Sequence, residues 1–546
     1  MKTYLKYIPL IILAATLLSC TEDLQEYNPA GSTAQSLFTT PEGIEAGVNG
    51  IYTYNRYFYG KEEGHALMEM GTDIWTNAAN NNTSGTNGIF PQLSLTTYQG
   101  LTTDNVWVKN RMWQQCYAAI NLANNVMKYL PTAGVNAARQ KELEGEARFL
   151  RAWYYYMLVE SFGPIPLRLA PTESIETTAT RATIDAIYDQ ILQDLQFAVT
   201  AIPTTTTEYG RITRPASEAF LAKVYLTRGK NQEASNYAKK VITGYNYKLL
   251  PTYANLWTFA NQVNTEVLWA VNYSTNLAFN AGSNISHTLY LMEYNTQPGM
   301  KRDVANGFAN VRYMPTKFLL NLFDETSDSR YNATFKSAWK ANETDATKRP
   351  VGINVGDTAI LTSKYPVTTA FRQSKKYKIY DVNDVYKADG TPNDRFHYVS
   401  LQKFDDPTRA TDATTESARD AYIMRLGEVY LLAAEAQLNL GKKDSAAYYV
   451  NEIRTRAAVP GRQANMRVAA ADVTLDFILD ERARELAGEQ VRWFDLKRTN
   501  KLVERVKKYN PDAANNIQTF HVVRPIPQSE VDAVTNKGEF AQNPGY

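Results

Sequence analysis

Apolar residues recur at three- and four-residue spacing along much of this chain, a period that predicts amphipathic helices. Between Val106 and Leu130 the stripe runs through Trp113, Tyr117, Ile120, Asn124 and Met127, and it stops at Pro131. Arg139 to Phe162 carries Phe149, Trp153 and Tyr156 on one stripe and is closed by Gly163-Pro164. The two segments are expected to pack as an antiparallel hairpin, with Trp107, Trp113 and Trp153 in the core. A second unit begins near Thr183, and its first helix ends before Pro203. Pro215 suits the first turn of the next helix, which ends near Gly229.

The run Ala222 to Gly229, followed by Ala234 and Ala238, resembles a tetratricopeptide repeat. Small alanines let paired helices approach closely, and glycine makes the turn. A related pattern returns late: Tyr430, Ala434, Ala436, Leu440 and Gly441 lead into Ala446, Ala447, Val450 and Ile453. The fold class is therefore mainly α, a tetratricopeptide-like helical-repeat superhelix. Between about 244 and 415 the helical period fades, and Gly, Pro, Asn, Thr and aromatics interrupt nearly every short apolar run. So long a stretch predicts a large irregular, loop-rich insert carrying short strands, with the ligand side on it. A shorter loop spans 71–100. The expected division is an N-terminal helical-repeat part over 41–243, the irregular part over 244–415 and a C-terminal helical-repeat part over 416–546, all in one compact unit.

The first residues carry a different pattern. Lys2 and Lys6 precede a mostly apolar stretch from Ile8 to Leu18, which suits a secretory signal core and is too short to span a bilayer. Leu17-Leu18-Ser19-Cys20 resembles the lipobox of bacterial lipoproteins. That resemblance implies removal of residues 1–19, lipid attachment at Cys20 and a lipidated tether over 20–40. Glu22 and Asp23 resemble a surface-export signal and favour the outside of the outer membrane.

Charge adds an exclusion. Of 58 Lys and Arg, Lys2 and Lys6 leave with the signal peptide, so the mature chain would match its 56 Asp and Glu. Such a chain has no global field for nucleic acid or anionic lipid, and membrane contact is expected through the lipid alone. Cys116 is the second of two cysteines, lies in a helical pattern and reads as a small core residue. Tyrosine is abundant, 36 against 20 Phe and 8 Trp, which suits wet recognition surfaces as well as cores.

Catalytic patterns are scarce. His65, His287, His397 and His521 lie far apart, and no phosphate loop or Gly-x-Ser-x-Gly elbow occurs. Asp381-Val382-Asn383 opens like a calcium loop, but Val385 and Tyr386 stand where a ligand and a glycine are needed. No cofactor or metal is called for, and a structural calcium ion outside such a loop stays open. The charged run Asp480 to Arg498 could offer Glu481 or Glu485 as an acid or base. Its spacing fits better a helix whose Glu and Arg pair with each other. Arg148 and Arg151 read the same way, as ties from helix to loop.

Five ordered motifs then carry a family resemblance. Glu146-Ala147-Arg148-Phe149-Leu150-Arg151-Ala152 with Phe162-Gly163-Pro164 is the first, and Arg425-Leu426-Gly427-Glu428 through Ala436 is the second. Asp480-Glu481-Arg482 with Arg492 to Arg498 is the third, Ile526-Pro527 the fourth and Gln542 to Tyr546 the last. Together they resemble the SusD/RagB nutrient-binding lipoproteins, from the lipobox to the last residue, with a middle that aligns to nothing residue by residue. The resemblance implies a protein without catalytic activity. It would bind an oligosaccharide, or a peptide as RagB-type members do, and serve as a lid on a SusC-like TonB-dependent outer-membrane barrel. A secreted surface glycoside hydrolase is the alternative, and a purely structural adaptor a third reading.

Sugar rings present apolar C–H faces to aromatic side chains, while planar polar groups satisfy their hydroxyls. On that chemistry Asp73, Trp75, Asn77, Asn80 and Tyr98 are the first candidate ligand contacts. His287, Tyr290 and Tyr294 alternate on one side of an expected extended segment and could complete an aromatic arc. Packing of Trp75 beneath its loop, and core or strand-edge packing of the later group, are the competing readings. Trp339 is a further exposed-loop candidate.

Overall fold

The computed structural model describes residues 37–81, 91–280 and 284–546. Cys20, the lipobox and Asn82 of the amide run lie outside them.

The helical expectations translate into paired antiparallel helices. α1 (Pro41–Thr53) is capped by Thr40, whose Oγ1 accepts from the Gly43 N–H at 3.1 Å, with proline at its first position. α2 (Glu62–Met68) is short and nearly all buried. The segment predicted to begin at Val106 opens with a π-helical turn, Val108–Trp113, anchored by Asn105 Oδ1, which accepts from the amides of Trp107 and Val108. It continues as α3 (Gln114–Tyr129) and packs along α4 (Ala137–Phe162). Asn136 caps α4, and Gly163 ends it at φ 71°, a left-handed conformation that suits glycine.

α5 (Ile184–Ala201) starts at the Thr183 cap and lies against α4. α6 (Arg214–Thr227) and α7 (Asn231–Gly244) form the repeat pair predicted around Gly229, and α7 packs on α8 (Leu426–Asn439), which pairs with α9 (Lys443–Arg456). α10 (Leu475–Leu486), α11 (Arg492–Arg498) and α12 (Leu502–Tyr509) follow, before the short helices Pro511–Ala514 and Gln528–Ala533. Trp113, Trp153 and Cys116 are buried in the main core, and Trp107 is half-buried against it. Phe149, Trp153, Phe220 and Trp269 meet edge to face with centroids 5.0–5.6 Å apart. Each such pair contributes about 0.5–1.5 kcal/mol beyond the area it buries.

Short strands run through the irregular stretch and on either side of it, several of them paired over long sequence distances. β1 (Trp75–Asn77), β2 (Val267–Val271) and β3 (Tyr313–Pro315) come first. β4 (Phe335–Lys336), β5 (Ala338–Lys340), β6 (Thr358–Thr362) and β7 (Lys378–Tyr380) follow, then β8 (Ser400–Leu401) and β9 (Ala421–Arg425). β1 pairs antiparallel with β3, β2 with β9 and β4 with β8, while β5-β6-β7 is a three-stranded sheet. Around them lies a second core containing Trp75, Tyr290, Tyr294, Tyr313 and Trp339, which reaches Ala483 and Ala487 at the end of α10. Trp339 is therefore no exposed-loop residue: it is fully buried and stacks on Tyr294 at 4.5 Å.

An arginine–glutamate hub ties the parts together. Arg425 at the end of β9 donates to Glu266 at 3.1 Å, Glu485 at 2.7 Å and Glu489 at 2.7 Å. Arg330 from the irregular stretch reaches Glu485 at 3.0 Å and pairs with Glu481 at 2.8 Å. A buried charge is retained when it is paired and hydrogen-bonded, and the hub gives Arg425, Arg330 and Glu485 such partners.

Candidate functional site

The site begins with what holds β1. Asp73 is fully buried and clasped by Arg492 Nε and Nη2 at 2.8 and 2.6 Å and by Arg505 Nε at 2.7 Å. Those guanidiniums hold its carboxyl below the usual range against the effect of burial. Asn510 Nδ2 donates to the carbonyls of Thr72 and Trp75 at 2.7 and 3.0 Å. Glu69 receives the Trp75 indole N–H at 3.0 Å and the amides of Gly488, Val491 and Arg492 at 2.8–3.2 Å. Burial nevertheless pushes the Glu69 carboxyl up to about 7.

The aromatic candidates belong to this foundation. Trp75 is fully buried, its ring 4.7 Å from that of Tyr290. Tyr290 is 1 % exposed and donates its hydroxyl to His65 Nδ1 at 2.8 Å, which leaves His65 Nε2–H to donate to Ser286 at 2.9 Å. His65 is held neutral by burial, its pKa lowered to about 3. Tyr294 is buried on Trp339 and donates to the Gly307 carbonyl at 2.5 Å. His287 is buried with Nε2 donating to the Thr415 carbonyl at 2.9 Å, and it lies in a short helical turn rather than an extended segment. Tyr98 is 5 % exposed, donates to the Gly71 carbonyl at 2.6 Å and packs on His521. Asn77 is buried in β1, and its carbonyl accepts from Arg395 Nη1 at 2.6 Å. Of the eight candidates only Asn80 is exposed. The others hold up a surface and do not form its open face; the packing reading describes them.

That surface is a rim above β1 and β3. Asn80 Nδ2 donates to the Asn310 carbonyl at 3.0 Å, and Arg312 Nη1 donates to the Asn80 carbonyl at 2.6 Å. Arg312 also lies 3.3 Å from Glu62. The Ala79 amide donates to the Arg395 carbonyl at 3.0 Å, and Arg395 forks onto Asp512 at 2.7 and 2.8 Å. Next to it Phe396 is 43 % exposed, its carbonyl accepting from Glu293 at 2.8 Å. His397 stacks on Tyr380 at 4.2 Å with the planes 3° apart and donates from Nδ1 to Asp394 at 2.8 Å. The rim thus offers the exposed Asn80 amide and one open ring over guanidiniums that are tied into its frame, a set that can satisfy hydroxyls and cover an apolar C–H face. Sequence reasoning missed Asn310, Arg312, Arg395 and Phe396. The Asp394-Arg395-Phe396-His397 cluster, charged and aromatic within a loop, was the available signal.

The acid candidates face inward. Glu481 and Glu485 are buried, and their carboxyls are held below the usual range, Glu485 at about 2, by the arginines beside them. A general acid needs the opposite shift. Arg151 likewise spans Asp194 and Asn124 at 2.8 Å, a tie between α4, α5 and α3. Asp381 is a helix cap that accepts from Asn383 and Asp384, which explains its calcium-loop look. Among the described residues no cluster of His, Cys, Asp and Glu is arranged to hold a metal ion, and no helix is long and apolar enough to cross a membrane.

Comparison with known proteins gives the following. Residues 265–546 match the family model described as "SusD family", and residues 38–226 match one described as "Starch-binding associating with outer membrane". The chain is 28 % identical over 560 aligned residues to the SusD-like protein P2 of Formosa agariphila, with 99 % of each chain covered. It is 25 % identical to the starch-binding protein SusD of Bacteroides thetaiotaomicron, over 76 % of this chain and 75 % of that one. Its fold matches surface glycan-binding protein A from Bacteroides thetaiotaomicron, solved in complex with laminarihexaose. There the TM-score is 0.67 at 19 % identity, covering 92 % of this chain and 99 % of that one.

Proposed function

The chain belongs to the SusD family, and on that premise we propose that it binds glycan fragments at the cell surface and delivers them to a SusC-like TonB-dependent barrel. The carrying observation is the rim: Asn80 and Phe396 present an amide and a ring, braced by Arg312 on the Asn80 carbonyl and by Arg395 on Asn77 and Asp512. A preorganised surface loses little entropy when a flexible saccharide docks. The glycan-binding names of the relatives support a saccharide over a peptide. Lipid attachment at Cys20 would keep the protein beside its transporter, and Glu22 and Asp23 favour the exterior face. Binding is the activity assigned. The alternative, a surface glycoside hydrolase, needs two carboxylates across a cleft at roughly 5–10 Å, and Glu481 and Glu485 are committed to arginines.

Retention on affinity gels of several polysaccharides, with a peptide control and an assay for released reducing ends, tests this reading. Retention without new reducing ends supports it. Retention of the peptide alone, or release of reducing ends, overturns it. The barrel partner is tested separately, by co-purification of a TonB-dependent protein with the tagged, lipidated chain from its native membrane.

A further inference from the structure

A cleft with a volume of about 750 Å³ lies away from the rim, between the loop joining α5 to α6 and the segment that leads from α7 into β2. That volume falls in the range of about 300–1,000 Å³ typical of small-molecule sites. β2 forms its floor, and Tyr209, Tyr245 and Tyr247 line its walls beside the hydroxyl run Thr204 to Thr207.

The tyrosines are half-buried, and two have their hydroxyls tied back: Tyr209 to the Gln262 carbonyl at 3.2 Å and Tyr245 to Glu218 at 2.9 Å. Arg211, the one charged side chain among the lining residues, is already engaged by Glu146, Glu208 and Asn49 at 2.7 Å each. The cleft therefore has aromatic walls and neutral polar groups, with no charge left over for an ionic ligand.

Thr213 supplies the independent sign. It stands at the N-cap of α6 and is 5 % exposed, yet its side chain makes no capping bond and Oγ1 has no hydrogen-bond partner. A threonine hydroxyl in that position ordinarily accepts from the first turn of the helix, and a buried polar atom left unpaired is costly. Thr213 is one of the cleft-lining residues, and this unpartnered hydroxyl lies just beneath the cleft's surface. We propose that this cleft is a second saccharide subsite, taking a neutral oligosaccharide segment against the tyrosine walls with Thr213 Oγ1 bonding a sugar hydroxyl. The proposal rests on the glycan-binding reading above but uses none of the rim residues.

Calorimetric titration of the full-length protein with laminarihexaose and maltohexaose tests it. The rim variant Asn80→Ala/Phe396→Ala should keep one weaker site. Adding Thr213→Val should weaken that site about fivefold, and adding Tyr247→Ala should abolish it. Because the hydroxyl makes no bond in the fold, Thr213→Val should not lower Tm. A rim variant that binds neither sugar overturns the second subsite while glycan binding stands. So does a residual site indifferent to Thr213→Val, or a fall in Tm of several degrees, which would make the hydroxyl a structural cap. Wild-type protein that binds neither sugar counts against the capture reading and removes the subsite with it.

Discussion

Arg492 clasps Asp73 at two points, 2.8 and 2.6 Å, across 419 residues of sequence, so the loop that begins the site is fixed by a helix near the end of the chain. Both side chains are buried, and Arg505 adds a third contact. Removing one partner leaves a buried charge without its counter-ion. Asp73→Ala is therefore expected to cost about 3–5 kcal/mol of stability, read as a lower urea midpoint. A change in glycan affinity with an unaltered midpoint would contradict this role.

Trp75 makes the same argument for an apolar side chain. Its ring is fully buried on Tyr290, and its N–H is one of four donors on Glu69. Trp75→Ala is expected to destabilise by about 3–5 kcal/mol. Weaker binding should appear only to the extent that the protein unfolds or β1 shifts. Thermal melts run beside titrations separate the two.

The rim variants should behave in the opposite way. Phe396 is 43 % exposed and Asn80 makes one surface hydrogen bond, so neither change should move stability by more than about 0.5 kcal/mol. Phe396→Ala should weaken retained glycan about tenfold, or about 1.4 kcal/mol. Equal affinity in both single variants would remove the rim from the binding surface.

Much of the scaffold was legible because helices are local. Asn136, Gly163, Thr183 and Pro215 mark helix ends within the sequence that forms them. The site was less legible because its contacts are not local: Trp75 sits opposite Pro315, and Val267 opposite Arg425. Trp75, Tyr290 and Tyr294 have the composition of a sugar platform and of a core alike, and only burial distinguishes them. The glutamate–arginine run from Asp480 was readable as structure because its partners recur at helical spacing, as Glu481 and Arg484 do.

Stability should fall on both sides of a mildly acidic optimum. Glu485 has a folded pKa near 2 against an ordinary 4.5, so its contribution is complete above 4.5 and is lost as pH falls towards 2. Glu69, raised to about 7, has the opposite sign: its contribution is complete below 4.5 and is lost as pH rises through 7. Melting temperatures across pH 2–9 should show both limbs. Glu485→Gln should lower stability at neutral pH and flatten the acid limb, and an acid limb of unchanged slope would exclude Glu485 as its source.

The second sequence motif contains a glycine whose reason lies in the same hub. Gly427 is buried in the first turn of α8, two residues after Arg425 at the end of β9. A β-carbon there would collide with Arg425 Nη1 and lie 2.9 Å from Glu485 Oε1. Neither atom can move without losing a buried bond, because the Arg425–Glu485 pair is 2.7 Å long and Glu485 also holds Arg330. Alanine favours helix over glycine by about 1 kcal/mol, so on propensity alone Gly427→Ala would stabilise α8. The clash should win, because forcing an extra carbon into a packed site costs about 1–3 kcal/mol and here also disturbs a buried ion pair. Gly427→Ala is expected to lower the urea midpoint and make the melt more sensitive to acid, whereas a raised midpoint would mean that the hub has room to relax.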